Sequence, residues 1–590
     1  MGPGCLPGGT LRNDRPYVET IREWAVTAPG HQALVSVGGS GANAPVERVT
    51  YGELDRGAAA LAGWLRERGP VGQRVLVLQS CPRLFAVSVL ACLYAGAVAV
   101  PVAVPGASRH QADRVLGVAR DTSAGVVLTD IATAPDVSVL LARHGYDRIS
   151  CLAVESVPDG GGLYTPVSDA EQPALVQYTS GSARKPRGVV MTHGNLLAAQ
   201  HSAVRVLGTR TGDRIGGWLP MHHGMGLFGQ LLHPLWLAGT CVLVSPGLFD
   251  RRPAAWLEAV SAHRLRVSAA PGWAYDLCVR RVGDRELAGL DLSGWASAVS
   301  VPGPVRPEVQ RAFADRFAPA GFRPDAFRTC YGPAEVPVLV SGFGPGAGAA
   351  AHRAVDVAAL DCRELRDPVP GRPARTLADC GPPVGVELRI VDPVSREVVP
   401  DGRCGEIWLR GPAVAHGYWN RPRETSETFE ARTADGAHGF LRTGDLGALS
   451  GGRLYVTGRL EDAVVLAGHR LSAGDLERSV RQVSDLIGAG AAFDVGAERE
   501  HVVVVLELRG RNHYDVDLPA LVGAVRAHLA AEFQLTPGAV VLVRSGTIRR
   551  TAVGTVRRGE LRRLLLGGEL KAIHQQMGRE VRELIGAGDA

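Results

Sequence analysis

The segment ALVQYTSGSARKPRGVVMTHGNL, residues 174–196, carries the densest set of groups in this sequence suited to phosphate chemistry. A β-type run leads into Thr179, Ser180, Gly181 and Ser182. A basic stretch through Lys185 and Arg187, a second strand and a helix start at Thr192 follow. Hydroxyls and unobstructed backbone N–H groups suit phosphate oxygens, and the cations neutralise their charge. The loop is not a Walker loop, because GxxxxGK[ST] is absent. Taken alone, an ordinary polar hairpin reads the same way.

The elements that must hold such a loop are legible along the chain. Short apolar runs, RVLVLQ (74–79), AGVVLTD (124–130), CVLVSP (241–246) and RVSAAP (266–271), alternate with helical patterns. That alternation predicts an α/β fold with parallel sheets. From Gly381 the texture changes: VELRIVDPVSREVV, GEIWLRGPAV and GRLYVTGR read as shorter, half-exposed strands of an antiparallel subdomain. Beyond Arg459, a helix over 473–483, a strand within 498–508, a helix over 518–533 and the strand AVVLVR predict a small α+β domain.

At 590 residues the chain is long enough for several domains, and its 46% apolar content supports folded structure nearly throughout. A formal charge of +5, from 64 basic and 59 acidic residues, is too small and dispersed to point to nucleic acid. The ten cysteines form no CxxC pair and no zinc-spaced cluster with histidine, which suggests a reducing, cytoplasmic setting and no structural metal. His222 and His223 lack a third ligand at suitable spacing. The uncharged run from Leu84 to Gly106 is long enough to span a bilayer, but Gly96, Pro101 and Pro105 interrupt it. We read it as a helix ending near Gly96 followed by a buried strand, with no membrane span.

Further blocks follow the phosphate loop in order: WLPMHHGMGL (218–227), SAAPGWAYDL (268–277), CYGPAE (330–335), GEIWLRGPAVAHGYWNRPRET (405–425), and FLRTGDLG with GRLYVTGRLED (440–462). Together they resemble the acyl-adenylate-forming ligases over residues 20–565, and most of all the fatty acyl-AMP ligases. The second likeness rests on CLYAGAVAVPV, LDLSGW, RPEVQRAFADRFAPAGFRPDAF, an insert between Gly342 and Cys380, and LVRSGTIRRTAVGTVRRGEL. The resemblance implies a large domain of several subdomains, residues 1–458, and a small mobile lid, residues 459–590, hinged near 459–462. It implies ATP and Mg2+ as cofactors, a small carboxylic acid as substrate and an acyl carrier protein as partner.

By the same resemblance, Thr179, Ser180, Gly181, Ser182 and Arg187 contact phosphates. Tyr331 stacks on adenine with Gly332 beside it, and Glu335 holds Mg2+. Asp445 accepts from the ribose hydroxyls, and Arg459 sits at the hinge near ribose or phosphate. His223 lies near the reacting carboxylate, while Met225, Gly226, Gly272 and Trp273 border the acyl tunnel. Trp218 and Trp236 are expected in the core.

The sequence departs from the family's pattern in several places. Thr555 occupies the position of the near-terminal catalytic lysine, and the only lysines, Lys185 and Lys571, lie elsewhere. A hydroxyl supplies no positive charge, so Arg550, Arg557 or Arg558 is the available substitute. Ala183, Arg187, Gly224, Ala467 and the segment SVPGPV (300–305) also differ from the usual residues. Three functions stay open on this reading: a diverged ligase that loads a carrier-protein thiol, a nucleotide- or acyl-binding scaffold that does not adenylate, and an enzyme using the pocket for another transformation.

Overall fold

The computed structural model describes residues 15–38, 46–106, 109–158, 169–179, 187–300, 307–344, 352–466, 469–496, 501–510, 516–533, 535–550 and 556–586. Two seven-stranded sheets dominate the large domain. In one, the strand Arg74–Val77 runs parallel between the central strand Val98–Pro101 and Val126–Thr129. Its far edge turns antiparallel through Pro173–Tyr178, Gly188–Thr192 and Gly417–Tyr418. The other sheet runs parallel from Phe327–Thr329 to Gln32–Val37, and Glu47–Thr50 closes it antiparallel. The runs at 74, 124, 241 and 266 are strands, as their apolar character predicts.

The uncharged run beginning at Leu84 resolves into helix and strand. The helix Pro82–Ala95 ends at Gly96, whose φ of +67° gives the left-handed turn that glycine adopts without steric cost. The strand Val98–Pro101 that follows is buried throughout. Among the described residues no helix is long and apolar enough to cross a membrane.

A four-stranded antiparallel sheet follows, ordered Glu387–Val391, Gly405–Arg410, Leu441–Ser450 and Arg453–Arg459. The half-exposed character expected of Gly405–Arg410 is corrected here, since five of its six residues are buried. Ile407 and Leu409 join the main core on one face, while Trp408 packs with Phe440 and Val391 on the other. Local alternation cannot reveal a strand that is covered on both sides.

The small domain carries its own mixed sheet of four strands, Ile487–Val495, His501–Leu508, Ala539–Arg544 and Ala572–Met577. Separate apolar clusters cover its two faces, one built on Leu476, Val525 and Leu529 and the other on Val541, Leu561 and Val581. The helix expected over 473–483 is α-helical over Ala473–Ser479 and tightens to a 3-10 turn at Val480–Gln482. Arg375, on the strand Ala374–Ala378, ties the two domains together. It pairs with Asp475 at 3.0 Å and donates to the Thr457 carbonyl at 2.9 Å.

Candidate functional site

A cleft of about 2840 Å³ runs between the large and small domains, and residues from both line it. The residues that flank the expected phosphate loop, Thr179 and Arg187, stand at one wall. The loop's Ser180, Gly181 and Ser182 lie outside the described residues, but the base of the loop is clear. Thr179 N–H donates to the Arg187 carbonyl at 2.9 Å, continuing the antiparallel pairing of Pro173–Tyr178 with Gly188–Thr192. Both Thr179 and Arg187 line the cleft.

Arg187 lays its guanidinium over the Tyr418 ring, 4.9 Å from the centroid, and lies 3.7 Å from Glu424. The Tyr418 hydroxyl in turn donates to Glu335 at 2.7 Å. Burial pushes the Glu335 carboxyl above the ordinary carboxylate range, and nearby Asp445 pushes the same way; the Tyr418 hydrogen bond and Arg187 oppose both. Tyr418 reaches this place because Gly417–Tyr418 pairs antiparallel with Val189–Val190, beside the loop's exit.

Asp445 lies on Leu441–Ser450 opposite Arg459 of the neighbouring strand. One carboxylate oxygen accepts from the Tyr331 hydroxyl at 2.7 Å, and the other pairs with Arg459 Nε at 2.8 Å. The pair with Asp445 holds the Arg459 guanidinium pKa above its ordinary value. Tyr331 is therefore fixed by its hydroxyl, with its ring and Gly332 on the cleft wall.

His223, Met225, Gly272 and Trp273 also line the cleft, whereas Gly226 is buried and is not among its lining residues. His223 ends a turn closed on the Pro220 carbonyl, and its own carbonyl accepts from Leu227 N–H. Burial, aided by Arg114, lowers its pKa to about 4, so the imidazole is neutral at pH 7. Met225 and Gly226 open a π-helical segment, Met225–Leu232, a wide-turn form that recurs at functional sites. A side chain at Gly226 would put Cβ 2.1 Å from the Pro220 carbonyl oxygen, so only glycine allows this approach. Trp273 begins the helix Gly272–Arg281 and meets Trp218 edge-on at 5.4 Å, while Trp218 stacks on Phe249 at 4.0 Å. Trp218 and Trp236 are buried core, and Trp273 is only partly covered.

The small domain closes the cleft from the other side. Thr555 lies outside the described residues, as do Ala183, Ala467 and most of SVPGPV, but Arg550, Val556 and Arg557 line the cleft. Arg558 is committed elsewhere: it pairs with Glu477 at 2.8 Å and Asp462 at 2.7 Å within the small domain. No cluster of three or more His, Cys, Asp or Glu suited to a metal occurs among the described residues. A single half-buried carboxylate such as Glu335, facing a cleft with room for phosphates, suits a hard cation that keeps most of its ligands from nucleotide and water. Sequence reasoning assigned no role to Tyr418, although its HGYWN block was noted, nor to Arg114, which reads as one more arginine on an amphipathic helix.

Comparison with known proteins adds independent findings. Residues 21–419 match the family described as AMP-binding enzyme. A medium-chain fatty acid acyl-carrier-protein ligase of Moorena producens is 34% identical over 546 residues, covering 89% of this chain and 91% of the relative. A 4-hydroxyphenylalkanoate adenylyltransferase of Mycobacterium tuberculosis is 32% identical, covering 87% and 85%. Among solved structures, a fatty acid AMP ligase from Legionella pneumophila is 30% identical, covers 95% of this chain and 98% of its own, and superposes with a TM-score of 0.73. A structure from work on fatty acyl-adenylate ligases of E. coli and L. pneumophila is 28% identical, covers 93% and 97%, and reaches a TM-score of 0.82.

Proposed function

Because the chain belongs to the AMP-binding enzyme family and, within its adenylate-forming superfamily, is a fatty acyl-AMP ligase, we propose that it activates a carboxylic acid with ATP and delivers the acyl group to a carrier-protein phosphopantetheine thiol. The observation that carries this reading is the convergence on one cleft of Arg187–Tyr418–Glu335 and Tyr331–Asp445–Arg459. The carrier as acceptor is supported by the Moorena relative, whose name specifies an acyl-carrier-protein ligase.

In the first step a carboxylate oxygen of the acid attacks the α-phosphorus of ATP. The bond to the bridging oxygen breaks, and its electron pair leaves with pyrophosphate. Asp445 orients the ribose by accepting from its hydroxyls, and the Tyr331 ring lies under the adenine. Glu335 would help hold Mg2+, which would neutralise charge on the phosphates when bound. Arg187 and the hydroxyls of the phosphate loop bind phosphate oxygens from a fixed base, so little reorganisation accompanies the transfer. His223, neutral at pH 7, can hydrogen-bond the acid without competing with it for charge. In the second step the thiol sulfur attacks the acyl carbonyl carbon, AMP leaves with the electron pair of the broken acyl–phosphate bond, and the thiol proton passes to solvent.

We divide the chain at Arg459, with residues 1–458 as the body and 459–590 as a lid turning about 459–462. The acid enters past Met225, Gly226, Gly272 and Trp273. We place the reaction in the cytoplasm, in keeping with the unbridged state of every cysteine among the described residues. Thr555 favours a second reading, a scaffold that binds nucleotide without adenylating. ATP–pyrophosphate exchange over a panel of linear and aryl acids decides between the two. Exchange with any acid supports the ligase, whereas ATP binding without exchange supports the scaffold; mass spectrometry of a holo-carrier protein then reports acyl transfer.

A further inference from the structure

The strand Pro173–Tyr178 ends at the root of the phosphate loop, and Gln177 is its last residue but one. The register sets Gln177 beside Val189, and Val189 beside Tyr418 on the next strand. Residues paired across neighbouring strands project from one face, so Gln177 and Tyr418 stand two strands apart, about 10 Å, on the same side of the sheet. Val189 and Tyr418 face the main core accordingly, while the adjacent Tyr178 and Val190 pack on the opposite face. From this row Tyr418 holds Glu335. Gln177 holds the turn that carries His223: its Nε2–H donates to the His222 carbonyl at 2.8 Å.

The peptide unit joining His222 to His223 is thereby pinned at both ends, because its N–H donates to the Pro220 carbonyl at 3.0 Å. The His223 carbonyl in turn accepts from Leu227 N–H at 2.8 Å, where the π-helical segment begins. The bonds to Pro220 and Leu227 are local to the turn. The Gln177 bond comes from a distant part of the chain, and it ties that turn to the strand from which the phosphate loop springs. Gln177, His222 and His223 all line the cleft. Gln177 is buried, and its Oε1 has no hydrogen-bond partner among the described residues. Packing does not account for such a side chain, since methionine fills the same space without leaving a buried oxygen unpaired. What the amide adds is its N–H, and that N–H is spent on His222.

We infer that Gln177 is a positioning residue for adenylation, setting His223 against the acid's carboxylate through the His222 carbonyl, from the same row of the sheet that sets Glu335 through Tyr418. The inference rests on the ligase reading for the role of His223. It adds that the groups meeting the acid and the cation are registered to each other by one row at the base of the phosphate loop.

The test uses the full chain and two variants. Gln177→Met keeps the length and removes the donor, whereas Gln177→Glu keeps the shape and donates to the His222 carbonyl only when protonated. ATP–pyrophosphate exchange is measured with octanoate, dodecanoate and phenylpropanoate from pH 5 to 9, beside thermal melting with and without each acid or AMP. In Gln177→Met, kcat/KM for the acid should fall about tenfold, the worth of one hydrogen bond, while KM for ATP stays within about twofold and the ligand-free melting temperature does not fall. In Gln177→Glu the carboxylate repels the carbonyl at high pH, and the carboxyl replaces the amide donor at low pH. Its kcat/KM relative to the wild type should therefore rise at least about fivefold between pH 8 and pH 5. Equal losses toward acid and ATP with a lower melting temperature would mean general support of the fold and overturn the inference. So would an acid kcat/KM within twofold of the wild type, or a Gln177→Glu ratio that does not change with pH; in each case exchange by the wild type leaves the ligase reading standing. If the wild type exchanges with no acid, the ligase reading fails and binding decides the placement. Stabilisation by an acid that is lost in Gln177→Met while stabilisation by AMP persists supports it, and acid stabilisation that is unchanged or absent overturns it.

Discussion

Removing one hydroxyl, in Tyr418→Phe, isolates the contact that the half-buried Glu335 depends on. The phenyl ring remains under Arg187, so the cation–π contact at 4.9 Å persists while the 2.7 Å hydrogen bond to the carboxylate is lost. A hydrogen bond to a charged group contributes about 1.5–3 kcal/mol. If that energy supports the ionised form of Glu335, its loss lowers kcat/KM for Mg·ATP about 10- to 100-fold, since each 1.4 kcal/mol is a factor of ten. The pH dependence has a definite sign. Burial has already raised the Glu335 pKa, with the Tyr418 bond and Arg187 opposing burial and Asp445. Only the ionised carboxylate serves the cation, so activity falls as pH drops through that raised pKa. Taking away the opposing hydroxyl moves this acid limb to higher pH, by about 1–2 units from the same energy. Pyrophosphate exchange at saturating acid, followed from pH 5 to 9, measures both effects. An acid limb at the wild-type position with kcat/KM within twofold would refute the assignment of Glu335 as the cation-holding carboxylate.

Three further outcomes follow from the same geometry. Asp445→Asn keeps an acceptor for one partner but removes the charge facing Arg459 and Tyr331. We expect KM for ATP to rise at least about tenfold, while stability in urea falls by only about 0.5–1 kcal/mol because Arg459 is half-exposed. Trp273→Ala opens the tunnel beside Trp218. The kcat/KM values across an acid series should shift toward longer chains, by roughly fourfold for each additional methylene accommodated, from about 0.8 kcal/mol per methylene. Arg558→Met leaves the buried Glu477 without its cation and should cost about 3–5 kcal/mol in urea denaturation, and Arg558→Met with Glu477→Leu should recover most of it.

The parts of this molecule legible in its sequence are those set by local pattern. Continuous apolar runs mark the parallel strands, and Gly96 with the prolines after it separates the Leu84–Gly106 run into helix and strand. The loop from Thr179 to Arg187 declares itself by composition. Two features escaped that logic for identifiable reasons. Tyr418 acquires its place through pairing with Val189, a contact more than two hundred residues away in the chain, and no local spacing encodes it. Gly405–Arg410 is buried on both faces by elements that precede and follow it, so its period of two says nothing about exposure.

The fates of Arg557 and Arg558 show why the chemistry of this site cannot be assigned by residue type alone. Both are guanidiniums one position apart at the start of the helix Arg558–Leu566, yet successive residues there diverge in direction by about 100°. Arg558 turns inward, where Glu477 and Asp462 neutralise it and where its loss should destabilise the small domain. Arg557 lines the cleft, with the Glu560 carboxylate 3.5 Å from its guanidinium. The same division runs through the acids. Glu477 is spent on structure, while Glu335 and Asp445, which line the cleft, are held by hydroxyls and one surface-reaching arginine. Groups fixed in this way do not have to be reorganised when charge moves, and that is the condition under which their electrostatics can lower a barrier.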